Sequence, residues 1–275
     1  MLLAVISALS ALSAIASCIG SRAGLHSLWL APVSFVGSFL ALTLLFLLFL
    51  LILGFAVDQS KPQKHDSPLY RKTINLFVEF ALTVTRTRIH TRGLEQTPPE
   101  GRFLLVCNHI HDIDPAILIR HFPTKQLAFI TKKEVADMFF VGPMTHKIMC
   151  QPLNRENDKE ALKTILNCIR LLKEDEVSIA VFPEGYIKPD RKLRHFRSGV
   201  FKIAMKTKVP IVVCTLQNTQ YAVGNILHLK PTDVHLHLLK TIYPEEYAEL
   251  STVELGDKVY QMMAEDLGPE LVAAE

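Results

Sequence analysis

The sequence predicts an α/β fold with a mostly buried sheet behind N-terminal membrane helices, on three observations. Residues 1–60 hold only Arg22 and Asp58 among all the Lys, Arg, Asp and Glu of the chain. Beyond them, short apolar runs of strand length alternate with segments of helical periodicity. Two of those runs, Phe103 to Val106 and Ser178 to Phe182, stop at polar corners. In α/β folds such corners, just past the carboxyl end of a strand, are where ligands bind.

Taken in order, Leu2 to Gly20 is rich in Ala and Ser and reads as a second membrane helix, a re-entrant arm or a signal segment, without the basic start of a secretory signal. Val33 to Val57 is nearly unbroken Leu, Phe, Ile, Val, Ala and Gly, longer than the roughly 20 residues that cross a bilayer as a helix. Lys61, Lys64, Arg71 and Lys72 follow this span and only Arg22 precedes it. The positive-inside bias therefore puts the rest of the chain at the cytoplasmic face of the cell membrane. Cys18, Cys107, Cys150, Cys168 and Cys214 are scattered without paired metal spacing and read as reduced core thiols. The expected division is a membrane anchor over 1–60, a linker with an interfacial helix and a basic strand over 61–92, and one α/β domain over 93–275. No nucleic-acid partner is expected.

From Leu69, apolar residues at Ile74, Phe77, Val78, Ala81 and Leu82 predict a helix, which fits either a membrane-surface helix with Arg71 and Lys72 near lipid headgroups or an ordinary core helix. Val84 to Arg92 alternates, placing Arg86, Arg88, His90 and Arg92 on one face of a strand. Gln126 to Thr131 reads as a strand and Lys132 to Phe140 as a helix, broken at Gly142-Pro143. Arg155 follows a strand-like entry, in a position suited to bidentate phosphate binding or to a surface ion pair. Asn157 with Glu160 caps a helix whose stripe is Leu162, Ile165, Leu166, Ile169 and Leu172. Gly199 to Lys208 reads as a helix, and Ile211 to Leu216 and Val234 to Leu239 as strands. His235 and His237 are read as solvent-facing, and Pro244 to Leu267 as helical.

The first corner carries Asn108, His109, His111, Asp112 and Asp114. A histidine takes a proton near neutral pH, and a carboxylate five positions on can hold its other ring nitrogen. Asp114-Pro115 equally fits a helix start, with Asp as the cap. The same donor-rich cluster of His109, His111, Asp112 and Asp114 also fits metal ligation in a phosphoesterase. At the second corner Pro183 and Gly185 hold Glu184 in a rigid turn. Lys188, Arg191, Lys192, Arg194 and Arg197 follow it and suit an acidic partner.

Asn108-His109 with Asp114, then Arg155, then Phe182-Pro183-Glu184-Gly185, then Val209-Pro210-Ile211, in that order, resemble the ordered blocks of the glycerolipid acyltransferases, over about residues 70 to 240. The resemblance implies a glycerolipid-acyltransferase-like α/β domain with catalytic residues His109, as general base, and Asp114, which orients it. It implies substrate contacts from Asn108, Arg155, Pro183, Glu184 and Gly185, with Pro210 near the acyl donor. No metal or redox cofactor is implied, only acyl-CoA or acyl carrier protein as thioester co-substrate. The implied reaction acylates lysophosphatidic acid to phosphatidic acid, with another lysophospholipid or glycerol-3-phosphate as the alternative acceptor. Membrane lipids and the lysophospholipid acceptor are the implied partners. His111, Tyr186 and Val213 depart from the family pattern, the first two where the acceptor pocket would lie.

Overall fold

The computed structural model describes residues 2–20, 29–154 and 156–273. The chain forms two compact units, Met1–Ser60 and Lys61–Glu275.

The first unit is a pair of helices, α1 (Leu2–Gly20) and α2 (Leu30–Phe55), both long and apolar enough to cross a membrane. They pack against each other. Ser34 joins them, its hydroxyl 2.7 Å from that of Ser17 and 3.3 Å from that of Ser13. Small hydroxyl residues at such a contact let two apolar helices approach closely where lipid offers no hydrophobic drive to associate. The outward faces expose Leu40, Leu44, Ile52 and other large apolar side chains.

The second unit begins with α3 (Pro68–Val84), which leads into β1 (Thr87–Arg92). Strand β2 (Leu104–Cys107) feeds α4 (Asp114–His121), and β3 (Leu127–Lys132) feeds α5 (Lys133–Asp137) and α6 (Val141–Lys147). Next come β4 (Gln151–Leu153), α7 (Asp158–Lys173), β5 (Ser178–Val181), α8 (Lys202–Thr207) and β6 (Ile211–Gln217). A short α9 (Tyr221–Gly224), β7 (Thr232–Ile242) and α10 (Thr252–Leu267) complete the unit.

The sheet has seven strands in the order β1-β7-β6-β2-β5-β3-β4. Strands β2 to β6 are mutually parallel, β7 runs antiparallel to β6, and β1 is parallel to β7. The central strands are buried on both faces, which explains their unbroken apolar sequences. Leu104, Val106, Ile179, Val181, Ile211 and Val213 pack with Leu255, Val259 and Met263 of α10. Leu105, Cys107, Ala180 and Val212, on the opposite face by alternation, are buried as well. Because β2, β5 and β6 run the same way, their carboxyl ends share one edge of the sheet, and both polar corners lie there.

Several expectations are corrected by packing. Arg71 is 7% exposed rather than facing headgroups: its guanidinium pairs with Asp66 at 2.7 Å and donates to the carbonyls of Leu127 and Ile148. A buried guanidinium needs its donors satisfied, and this cage does so. Strand β1 starts later than its alternation suggests, because α3 continues to Val84 and Arg86 turns the chain at φ 52°. Gly142-Pro143 lie in the first turn of α6 instead of breaking a helix, and proline is tolerated there because first-turn amides need no intrahelical partner. Asn157 does cap α7, accepting from the Lys159 and Glu160 amides. The buried face of α7 is centred on Thr164, Cys168 and Leu171, which leaves Leu162 and Leu166 58% and 55% exposed. His237 is not simply solvent-facing, since Asp266 of α10 accepts from its Nδ1 at 3.0 Å.

Candidate active site

The corner between β2 and α4 is built around one carboxylate oxygen. Asp114 is fully buried, and its Oδ2 accepts from the backbone amides of Ile110 at 2.7 Å and His111 at 2.9 Å. The same oxygen lies 2.9 Å from His109 Nδ1. Asp114 therefore does not cap its helix: Ile113 occupies the cap, and the Asp114 side chain folds back over the preceding turn. An oxygen already accepting two amides takes the imidazole N–H as a third donor, which puts the ring proton on Nδ1 and leaves the lone pair on Nε2.

The imidazole is fixed on a second side by an aromatic plane. Phe182, at the end of β5, stacks on His109 with centroids 4.1 Å apart and planes 13° apart. Phe129 backs Phe182 at 6.1 Å. Held by a carboxylate at its edge and a phenyl ring on its face, the imidazole keeps one orientation without induced movement.

Glu184 completes the corner from the neighbouring strand. The Phe182–Gly185 turn closes with the Gly185 amide donating to the Phe182 carbonyl, and Gly185 takes φ 86°, which only glycine adopts freely. Glu184 is 8% exposed, and its Oε1 accepts the His109 amide at 2.9 Å. Burial pushes its carboxyl up to about 7, opposed by that amide hydrogen bond. Glu184 thus faces inward and ties β5 to the β2 corner. Pro183 is buried, and its carbonyl accepts from the Arg197 amide, which pins the start of the basic loop.

Asn108, read as a substrate contact, clasps the neighbouring strand in this structure. It is 4% exposed, its Nδ2 donates to the Leu216 carbonyl at 2.9 Å, and its Oδ1 accepts the Leu216 amide at 2.7 Å. Both ends of the amide are spent on the end of β6. Arg155 lies outside the described residues. The buried thiol of Cys107 is pushed well up by burial, so it offers no competing nucleophile.

The metal reading of the corner is not supported by its geometry. His109 and Asp114 are turned onto each other, and His111 Nδ1 accepts the Ile113 amide at 3.3 Å. Among the described residues, no three His, Cys, Asp or Glu side chains converge as ligands. Sequence reasoning missed the stacking of Phe182 and the Leu216 clasp. Phe182 stood inside a recognised block, but only the fold shows which ring it meets.

Residues 88–217 match the family model described as Acyltransferase. The chain is 26% identical over 162 residues to a 1-acyl-sn-glycerol-3-phosphate acyltransferase of Borreliella burgdorferi, covering 58% of this chain and 64% of the relative. It is 27% identical over 149 residues to a protein of the same name from Cocos nucifera, covering 54% and 48%. The chain thus spans about half to two thirds of the length of these relatives. The crystal structure of the 1-acyl-sn-glycerophosphate (LPA) acyltransferase PlsC from Thermotoga maritima superposes with a TM-score of 0.59 at 24% identity, covering 80% of this chain and 86% of that one. That structure shares the fold, and the matched segment contains β2, α4, β5 and both polar corners. Residues 88–217, which hold the whole corner, are thus similar to the Acyltransferase family.

Proposed function

We propose that this chain is a membrane-anchored O-acyltransferase that moves a fatty acyl group from acyl-CoA or acyl carrier protein to the free hydroxyl of lysophosphatidic acid, giving phosphatidic acid. The observation that carries this reading is the His109–Asp114 pair, Nδ1 to Oδ2 at 2.9 Å, at the carboxyl end of β2. The names of the matched relatives support the acceptor.

His109 Nε2 takes the proton of the acceptor hydroxyl as that oxygen attacks the thioester carbonyl carbon. A C–O bond forms, the C–S bond breaks, and the proton held on Nε2 passes to the leaving thiolate. Asp114 stabilises the imidazolium formed between those steps and keeps the tautomer. The thioester is already activated, so orientation and one positioned base supply much of the catalysis. Arg155 and the Glu184-Gly185 turn are assigned to the glycerol-phosphate part of the acceptor. Glu184 contributes by fixing the His109 backbone.

Two apolar helices support anchoring in the membrane. Lys61, Lys64 and Lys72, all exposed just past α2, support a cytoplasmic position for the second unit. The test is transfer of labelled acyl groups by the purified chain to lysophosphatidic acid, other lysophospholipids and glycerol-3-phosphate. Preferred transfer to lysophosphatidic acid supports the assignment. Preferred transfer to another acceptor removes the substrate but keeps the mechanism.

A further inference from the structure

At the same edge of the sheet as the catalytic corner, with β6 and β7 between, lies a polar cavity of about 500 Å³. Arg86, Arg88, Arg120 and His121 line it against one carboxylate, Glu79. Three arginines among the lining residues give this space a positive character that suits a phosphate. His121 Nδ1 lies 2.9 Å from the Ile117 carbonyl in the preceding turn, and burial holds its pKa below the usual value, so the positive charge of the cavity comes from the arginines.

An exposed apolar segment adjoins that cavity. Pro231 lines the cavity and ends the excursion between β6 and β7. Along this excursion Leu227 is 88% and Leu229 74% exposed, with Tyr221 and Val223 about half exposed. The excursion is internally braced: the Lys230 amide donates to the Asn225 carbonyl, and Asn225 Nδ2 donates to Thr232 Oγ1 at 2.8 Å. Leu229 sits at φ 53°, where a leucine is strained and an asparagine or glycine would be relaxed. Arg86, itself at φ 52°, donates through Nη1 to the Leu229 carbonyl, so the cationic cavity and the exposed leucines are one braced feature.

Exposed leucines beside a cluster of arginines match the two layers of an anionic bilayer surface, acyl chains beneath phosphates. We infer that the β6–β7 excursion docks on anionic phospholipid, with Leu227 and Leu229 entering the interface and the Arg86, Arg88 and Arg120 cavity taking a lipid headgroup phosphate. Covalent linkage to the apolar helices makes this a tethered contact, so a weak intrinsic affinity suffices.

The full chain carrying Cys18→Ser and Leu227→Cys, its other cysteines being buried, is labelled at position 227 with an environment-sensitive fluorophore. It is reconstituted in nanodiscs of phosphatidylcholine, alone or mixed with phosphatidylglycerol, with bromine on the acyl chains as quencher. Quenching is expected in the mixed discs and little in phosphatidylcholine alone. Arg88→Gln and Arg120→Gln should each lower the ratio of docked to undocked chain by roughly fivefold. Added inorganic phosphate should leave it unchanged. An unquenched label in mixed discs overturns the inference, as does quenching indifferent to phosphatidylglycerol. Displacement by millimolar phosphate would also overturn it, marking the cavity as a site for a soluble phosphate compound. The lipid comparison uses intact arginines, so it decides even where an arginine variant fails to fold.

Discussion

Asp114 Oδ2 accepts the amides of Ile110 and His111 and lies 2.9 Å from His109 Nδ1, so one oxygen shapes the corner and orients the base. In Asp114→Asn the amide oxygen can still accept, but it brings no charge to stabilise an imidazolium. Turnover should fall by roughly 10³–10⁴ with little change in KM. Steady-state kinetics with saturating acyl donor checks this, and a loss under tenfold would remove Asp114 from the mechanism.

The Phe182 ring acts through His109. Replacing Phe182 with Leu keeps apolar volume but removes the stacked plane seen at 4.1 Å. The expected result is about tenfold lower turnover with a stability loss near 1 kcal/mol, and Phe182→Tyr should restore turnover. Unchanged turnover in Phe182→Leu would reduce the ring to packing.

Glu184 predicts a pH dependence of stability with a definite sign. Burial raises its folded-state pKa to about 7 from a usual 4.5. Between those values the unfolded chain loses the proton and the folded chain keeps it, so stability falls as pH rises through that window. At about 1.4 kcal/mol per unit the decline is on the order of 3 kcal/mol. Glu184→Gln keeps an acceptor for the His109 amide and should flatten this part of the profile, as measured by denaturant unfolding across pH. A profile unchanged by the substitution would contradict the assignment.

Arg71 is predicted to hold the second unit together. Its guanidinium reaches Asp66, the Leu127 carbonyl and the Ile148 carbonyl at once. Arg71→Ala leaves Asp66 and both carbonyls unpaired and should cost about 3–5 kcal/mol. Lysine should not restore this, because a point ammonium cannot span the fork. Urea unfolding of the three proteins distinguishes these outcomes.

The local parts of this architecture were legible in the sequence. Two-sided burial writes strands as continuous apolar runs, so β2, β5 and β6 stand out, and His109 with Asp114 is a short-range pair within one turn. Contacts between distant segments were not legible. Asn108 clasps Leu216, 108 positions later, and an amide side chain at a ligand-binding edge reads equally well as a substrate contact. Arg71 reads as a headgroup ligand until Leu127 and Ile148 close around it. The face of α7 was legible in part: Leu172 is buried and Ile165 and Ile169 pack on the core, while Thr164 reaches the Pro152 carbonyl at 2.7 Å and Leu162 and Leu166 stay exposed.

The measurement that bears most directly on the central claim is acyl transfer from labelled acyl-CoA or acyl carrier protein to lysophosphatidic acid, comparing the intact chain with His109→Ala in the presence of a metal chelator. The expected result is chelator-resistant formation of phosphatidic acid by the intact chain and roughly a 10²- to 10⁴-fold loss in the variant. Transfer that survives His109→Ala, or that collapses on chelation in the intact chain, would contradict it.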